Sequence, residues 1–562
     1  MIDKIKLKFG STSGQPALDV ALTPITVFVG PNNSGKSIVL REIENYCRQT
    51  IASPTNLLLD NLSFTSYDET SFRSELEKLK QELNQEEILH PDHIMIGKIN
   101  PASSNFFRTQ VHLPGIIHEA ANPNKGEKSY LKQFLNMYTI RLDGNNRINL
   151  LKDQNAGDLQ LNPQNHFQFL FVNDEIRQKV RDIIYDAFRK YFVIDPTNIG
   201  KLRVRLSERP PSDQREEKGW DARSIDFHRE AIEITRTSDG VKAFTGIMTT
   251  LIAGDPRIIL IDEPEAFLHP SLSNKLGKEI GNSVRGTNKR LFVSTHSSNF
   301  LMGCIQSNTP LNIIRLTYLN DVATARVLPK EKILTLMRNP LLRSTGVLNG
   351  LFYESVVVTE ADSDRAFYQE INERHLAENN DNGIPNCLFL NAKNKQTVWD
   401  IVKPLRELGI PAAGIVDIDA IKEGGQVWSK LLNGGFIPEP SHQSIHNLRV
   451  TIKQKFDKTG QNMKRDGGIE LLQGQDKEAF SNLLGQLAEY GIFIIPNGEL
   501  ECWLKNLSVT GHGPSWLIDI FEKMGEDPAH VDYVKPENND VWKFMVKVKG
   551  WFVNPNRKGI PD

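Results

Sequence analysis

The stretch Ile25-Thr26-Val27-Phe28-Val29-Gly30-Pro31-Asn32-Asn33-Ser34-Gly35-Lys36-Ser37 decides how the first half of this 562-residue chain is read. Five strand-like residues run into Gly-x-x-x-x-Gly-Lys-Ser, and a helix-like run from Lys36 to Cys47 follows. That order of strand, glycine-rich turn and helix is the context a phosphate-binding loop requires. Gly30 and Gly35 let the backbone wrap phosphates, and N–H groups from Asn32, Asn33, Ser34 and the helix start meet the anionic oxygens. Lys36 then reaches the β- and γ-phosphates, and Ser37 ligates magnesium.

Working outward, residues 257–263 (RIILIDE) form an apolar strand that ends in two acids. Asp262 is placed to hold the magnesium through water, and Glu263 to orient or deprotonate an attacking water. The segment 237–242 (TSDGVK) precedes this strand and 293–297 (VSTHS) follows it. Each piece alone has a plain structural reading, such as acids at a helix start or a histidine at a strand end. The four in order resemble an ABC-type ATPase of the RecF/SMC class over roughly residues 1–340. The resemblance implies that Ser238, Asp239 and Gly240 cap the γ-phosphate of ATP held by a partner subunit. It also implies that His296 senses that phosphate and that the working form is a homodimer or larger. The signature reads Ser-Asp-Gly instead of Ser-Gly-Gly, no long coiled coil is inserted, and the family's glutamine loop has no assigned counterpart.

The second half restarts at 355–360 (SVVVTE), and strand and helix patterns alternate from there, which predicts a parallel α/β sheet. Glu360 ends one strand, with Asp364 four residues on at a helix start. Asp417 and Asp419 end another strand, where alternate residues share a face. Glu501 closes a third strand-like run, 493–501 (FIIPNGELE). Carboxylates converging at strand ends repel one another unless divalent cations neutralise them, and oxygen-rich sites suit Mg²⁺ or Mn²⁺. This order of acids resembles a Toprim domain.

An ABC-type ATPase followed by Toprim resembles the OLD (overcoming lysogenization defect) family of nucleases, which includes the Gabija A subunit and retron-associated nucleases. The expected fold is α/β: an ATPase domain over 1–345 with a helical dimerisation insertion near 165–235, then a Toprim domain over 350–562. The resemblance implies ATP and Mg²⁺ or Mn²⁺ as cofactors, with Glu360, Asp364, Asp417, Asp419 and Glu501 as metal ligands. It also implies a catalytic lysine, either Lys535 or Lys543. The implied partner is DNA, phage DNA in a defence setting, together with a helicase-like protein or a retron reverse transcriptase and its DNA. Two alternatives stay open: an ATP-driven repair clamp or nucleotide sensor with a binding-only C-terminal half, and an RNase.

Composition sets the bounds. A hydrophobic fraction of 39% and a charged fraction of 24% exclude a disordered or collagen-like chain. Lys+Arg total 67 against Asp+Glu 69, so bulk charge names no partner and nucleic-acid contact needs local patches. Such patches are Arg449, Lys453, Lys455, Lys458, Lys464 and Arg465, and again Lys543, Lys547, Lys549, Arg557 and Lys558, with Phe456 and Trp542 interspersed. No apolar run approaches the roughly 18 residues of a membrane span, and the N-terminal residues lack a signal-peptide core. The four cysteines are far apart without C-x-x-C, which favours a reducing cytoplasm. Three local readings complete the picture: a surface helix over 72–88, an amphipathic helix over 174–192 with Ile176, Val180, Ile183, Ile184, Ala187 and Phe188 on one face, and a mobile polar loop over 207–222.

Overall fold

The computed structural model describes all residues except 13, 84–86, 102–103, 127, 320, 345, 379–380 and 562. The chain forms two compact units, Met1–Val327 and Leu328–Asp562. The boundary therefore falls earlier than the expected 345. The helix Lys330–Arg338 buries Ile333 and Leu336 and packs with Pro340–Ser344 on the 3₁₀ turn Val347–Phe352 of the second unit.

In the first unit, a six-stranded sheet runs in the order Val322–Leu328, Leu311–Leu319, Ile25–Val29, Arg290–Ser294, Ile258–Asp262, Thr139–Leu142. The last five strands pair in parallel. Ile25–Val29 is buried at every position, as a strand covered on both faces must be, which is why it reads as a continuous β-prone run. A three-stranded antiparallel sheet (Asp19–Ala21, Ile2–Leu7, Leu59–Phe64) shares its core with the helix Lys36–Gln49, where Ile5, Leu7 and Leu62 join Val39, Leu40 and Ile43.

Three expectations change here. The surface helix covers Glu69–Glu77, not 72–88, because the chain leaves it to bond the hairpin His93–Ile99/Phe106–His112: Gln81 N–H donates to Met95 O at 2.9 Å. Residues 84–86 of that reading lie outside the described ones. The insertion near 165–235 is mixed instead of helical. Helices Asp174–Phe188 and Ala222–Glu230 accompany antiparallel strands Tyr191–Asp195, Lys201–Ser207 and Ile232–Glu233. The alternation KLRVRLS, which buries Leu202, Val204 and Leu206 on one face, dictates strand there. The polar loop 207–222 contains the short helix Gln214–Lys218, with Glu216 and Glu217 buried. Glu217 takes Arg177 Nε at 3.1 Å and pairs with Arg181, and Arg209 holds Glu216 at 2.9 Å.

The second unit is built on a four-stranded parallel sheet, in the order Cys387–Asn391, Ser355–Thr359, Ala412–Val416, Ile492–Ile494. The chain moves from the second of these to one side and returns on the other, so a topological switch point lies between Ser355–Thr359 and Ala412–Val416. Crevices at the carboxyl ends of strands at such a point are where open α/β sheets bind ligands. Trp503, Trp516, Trp542 and Phe544 pack with Phe367 and Tyr368 of the helix Asp362–Ala377. Trp542 and Phe456 are therefore core residues, not base-stacking ones. The strand expected through 501 stops at Ile494, and Pro496 beyond it has no N–H for a ladder.

Candidate active sites

The phosphate loop follows from the local sequence. Gly30 sits at φ 143°, and a Cβ there would lie 2.0 Å from Leu316 O, so only glycine fits. Gly35, at φ 91°, caps the helix that begins at Lys36. Asn33 also takes a left-handed conformation (φ 60°), which turns the loop back on itself; Asn32 is exposed and Ser34 buried beside it. Lys36 Nζ donates to Gly30 O at 3.0 Å, Pro31 O at 2.6 Å and Ser34 Oγ at 3.3 Å. Burial lowers its pKa to about 8 against the pull of Glu263 and Asp262.

The acids arrive from Ile258–Asp262, which is separated from the loop's own strand by Arg290–Ser294. Ser37 Oγ donates to Asp262 Oδ1 at 2.9 Å, and Ser294 donates to the same oxygen. Ser37 and Asp262 thus share one point beside the loop, which fits a magnesium site. Glu263 follows at φ 49°, and its carboxylate meets His296 Nε2 at 3.5 Å. Burial and the Lys36 charge push the His296 pKa down to about 4, so the ring is neutral near pH 7. Glu265 escaped sequence reading. It is half-buried, accepts from Thr295 Oγ1 at 2.8 Å and His296 N–H at 2.7 Å, and desolvation raises its pKa. Its only sequence signal was a third acid two residues past Glu263.

Ser238 caps the helix Asp239–Ala253, and Asp239 pairs with Lys242 at 2.8 Å. A Cβ on Gly240 would stand 2.5 Å from Phe267 O, so Gly240 is required for close backbone approach.

In the second unit, Glu360 and Asp417 each follow directly on a sheet strand at the switch point. Asp417 N–H donates to Glu360 Oε1 at 2.9 Å. Asp419 lies on the 3₁₀ turn Ile418–Ile421, and Glu360, Asp417 and Asp419 bring oxygens within 4.8 Å of one another. Asp364, in the first turn of its helix, accepts from Ala361 N–H at 2.8 Å. Burial pushes its pKa up to about 7, reinforced by the Asp417 and Glu501 charges, and burial likewise raises Glu360 and Asp417. Asp419 Oδ1 is buried and has no hydrogen-bond partner among the described residues. Crowded, desolvated carboxylates with an orphaned buried oxygen fit a divalent cation.

Glu501 is carried on the 3₁₀ turn Leu500–Cys502, not at a strand end. It bonds Gly513 N–H at 2.8 Å and His512 Nδ1 at 2.6 Å, and these groups form a second set of possible ligands with Glu499.

Of the two expected lysines, Lys535 needs correction. Lys535 pairs with Glu378 at 3.4 Å, at the far end of the helix Asp362–Ala377 and roughly 20 Å along it from Asp364. Lys543 is exposed on the helix Asp540–Val553. The lysines beside the acids are Lys464, 2.8 Å from Asp417, and Lys395, 3.1 Å from Asp419. Sequence reading places Lys464 only in a basic patch and does not single out Lys395, because the pairing of both with the acids comes from neighbouring segments. Other basic candidates also serve the fold: Arg449 donates to Ile421 O and Glu423 O, Lys455 pairs with Asp476, and Lys558 pairs with Glu489.

The loop, the Ser37–Asp262 pair and the Glu263–His296 pair on a parallel sheet define a P-loop ATPase. Residues 25–302 match the family model described as "AAA domain, putative AbiEii toxin, Type IV TA system". Similar solved structures include the Smc head bound to the C-winged helix domain of ScpA, at 15% identity over 59% of this chain and 99% of that one, TM-score 0.33. The SMC head domain from Thermotoga maritima matches at 13% identity over 58% and 99%, TM-score 0.28. The Smc head domain derived from Pyrococcus furiosus matches at 12% over 60% and 98%, TM-score 0.32. No curated protein matches the chain. The family match ends before the second unit begins. No helix among the described residues is long and apolar enough to cross a membrane.

Proposed function

We propose that this protein is an ATP-regulated, divalent-metal-dependent nuclease that acts on DNA, with an OLD-like pairing of ATPase and Toprim units and a role in defence against phage. The carrying observation is the cluster of Glu360, Asp417 and Asp419 at the sheet's switch point, with the orphaned Asp419 Oδ1 in it. In the first unit, Lys36 and the loop N–H groups would hold the nucleotide phosphates, Ser37 and Asp262 would hold the magnesium, and Glu263 would take the proton of the attacking water. Neutral His296 donates to the terminal phosphate, and Ser238 with Gly240 belongs to the face a second protomer's nucleotide meets.

In the second unit, Glu360, Asp364, Asp417, Asp419 and Glu501 would hold Mg²⁺ or Mn²⁺. When bound, the metal supplies an activated water and charge stabilisation at a phosphodiester. Lys464 and Lys395 position Asp417 and Asp419 and offset their charge. A binding-only second unit, as in a repair clamp, does not account for half-buried acids crowded at one point, because removing them would relieve repulsion. Supercoiled plasmid incubated with the protein and Mn²⁺ or Mg²⁺ should become open-circular, and a chelator should stop it. Plasmid left intact while RNA is cut would move the substrate to RNA, and neither substrate cut would favour the clamp.

A further inference from the structure

Arg147 has no exposed surface, yet nothing in its sequence neighbourhood marks it. It lies on the short helix Gly144–Ile148, directly after the strand Thr139–Leu142 that pairs with Ile258–Asp262. Its Nη1 donates to the backbone carbonyl of Glu263 at 2.5 Å. Its Nε and Nη2 have no hydrogen-bond partner among the described residues, and the charges it feels are Glu265, Asp262, Glu263 and Asp143. The contrast is Arg406, equally buried in the second unit, which spends its guanidinium on carbonyls of Ala412, Gly435, Gly559 and Gly491 as a strut should.

Burying a guanidinium with two unused donors is unfavourable unless its charge or its one strong bond is needed. Here the bond falls on a strained residue. Glu263 sits at φ 49°, a conformation that disfavours non-glycine residues by roughly 1–2 kcal/mol. Its carbonyl is gripped by Arg147 and by Ala266 N–H at 3.0 Å. We infer that Arg147 is a positioning residue of the ATP-hydrolysing site: it pins the Glu263 backbone in the turn that sets the carboxylate beside His296, and its charge balances the acids Asp262, Glu263 and Glu265. This rests on the reading of Glu263 as the group that acts on water.

The test uses the full chain with Arg147→Met, Arg147→Lys and Glu263→Gln in parallel. It measures ATP turnover, binding of a fluorescent ATP analogue, and melting temperature. Arg147→Met should bind nucleotide like wild type but lose about tenfold or more in kcat with KM unchanged, the pattern of a lost transition-state contribution. Arg147→Lys, which keeps a charge and one donor, should recover most of that loss and remain a few-fold below wild type. Wild-type kcat in either variant overturns the inference, as does a raised KM with kcat kept. If Arg147→Met does not fold, a folded Arg147→Lys decides alone by the same criteria. Wild-type turnover by Glu263→Gln would instead overturn the underlying assignment.

Discussion

At the scale of single residues, the sequence announced the members of the proposed nucleotide site. Gly30, Lys36, Ser37, Asp262, Glu263 and His296 each lie in a short motif whose spacing is fixed by one strand and one turn, and the structure brings them together. Arg147, Glu265 and Lys395 were illegible because their contacts come from tertiary neighbours, and Lys464 was legible only as part of a basic patch, not as a partner of Asp417. Two outcomes follow at this scale. Glu263→Gln should retain nucleotide but lose turnover, whereas Lys36→Ala should lose binding; comparable affinity in Lys36→Ala would contradict the loop assignment. The second concerns His166, whose Nδ1 bonds Ser104 Oγ at 2.7 Å and whose pKa burial lowers to about 3. A histidine held neutral in the fold contributes full stability above its unfolded pKa of about 6.5. That contribution falls away as pH drops toward 3, by roughly 1.4 kcal/mol per pH unit. His166→Gln should therefore flatten the acid limb of a stability-against-pH curve, and an unchanged slope would contradict the assignment.

Elements were legible where hydrophobic period and length agreed, and misread where polar residues are buried. The helix Asp174–Phe188 was expected to bury Ile176, Ile183, Ala187 and Phe188 along with Val180 and Ile184. Its buried set is Arg177, Val180, Arg181 and Ile184. The arginines turn inward because Glu217, nearly buried itself, waits on the segment that reads as a polar loop. Composition cannot distinguish a solvated charge from a buried pair. Glu217→Ala leaves Arg181 buried without a carboxylate and Arg177 with Asp174 alone, and should destabilise the first unit by about 3–5 kcal/mol in denaturant unfolding. A midpoint within error of wild type would show the pair to be solvated. The 493–501 run was misread for a different reason: its continuous apolar stretch ends at Ile495, and beyond Pro496 the chain carries Glu499 and Glu501 at the start of and on a 3₁₀ turn instead of a strand end.

For the whole molecule, the division into two units was legible from motif order, while the boundary at 327 was set by packing that no motif reports. A nuclease that cut freely would damage its own host, so the proposed function expects nucleotide to bias cutting. Raising ATP at fixed free Mg²⁺ should change the nicking rate, downward by the host-sparing argument, and Lys36→Ala should abolish the response. A tenfold change requires about 1.4 kcal/mol of differential ATP affinity between two states, and a flat titration in both proteins would leave two uncoupled activities. The central claim, however, is that one chain holds two separate catalytic sites. The most direct measurement is plasmid nicking and ATP turnover assayed on one preparation of folded Asp417→Ala beside wild type. The account predicts that nicking is lost while ATP turnover stays at the wild-type rate; nicking that persists in Asp417→Ala would contradict it.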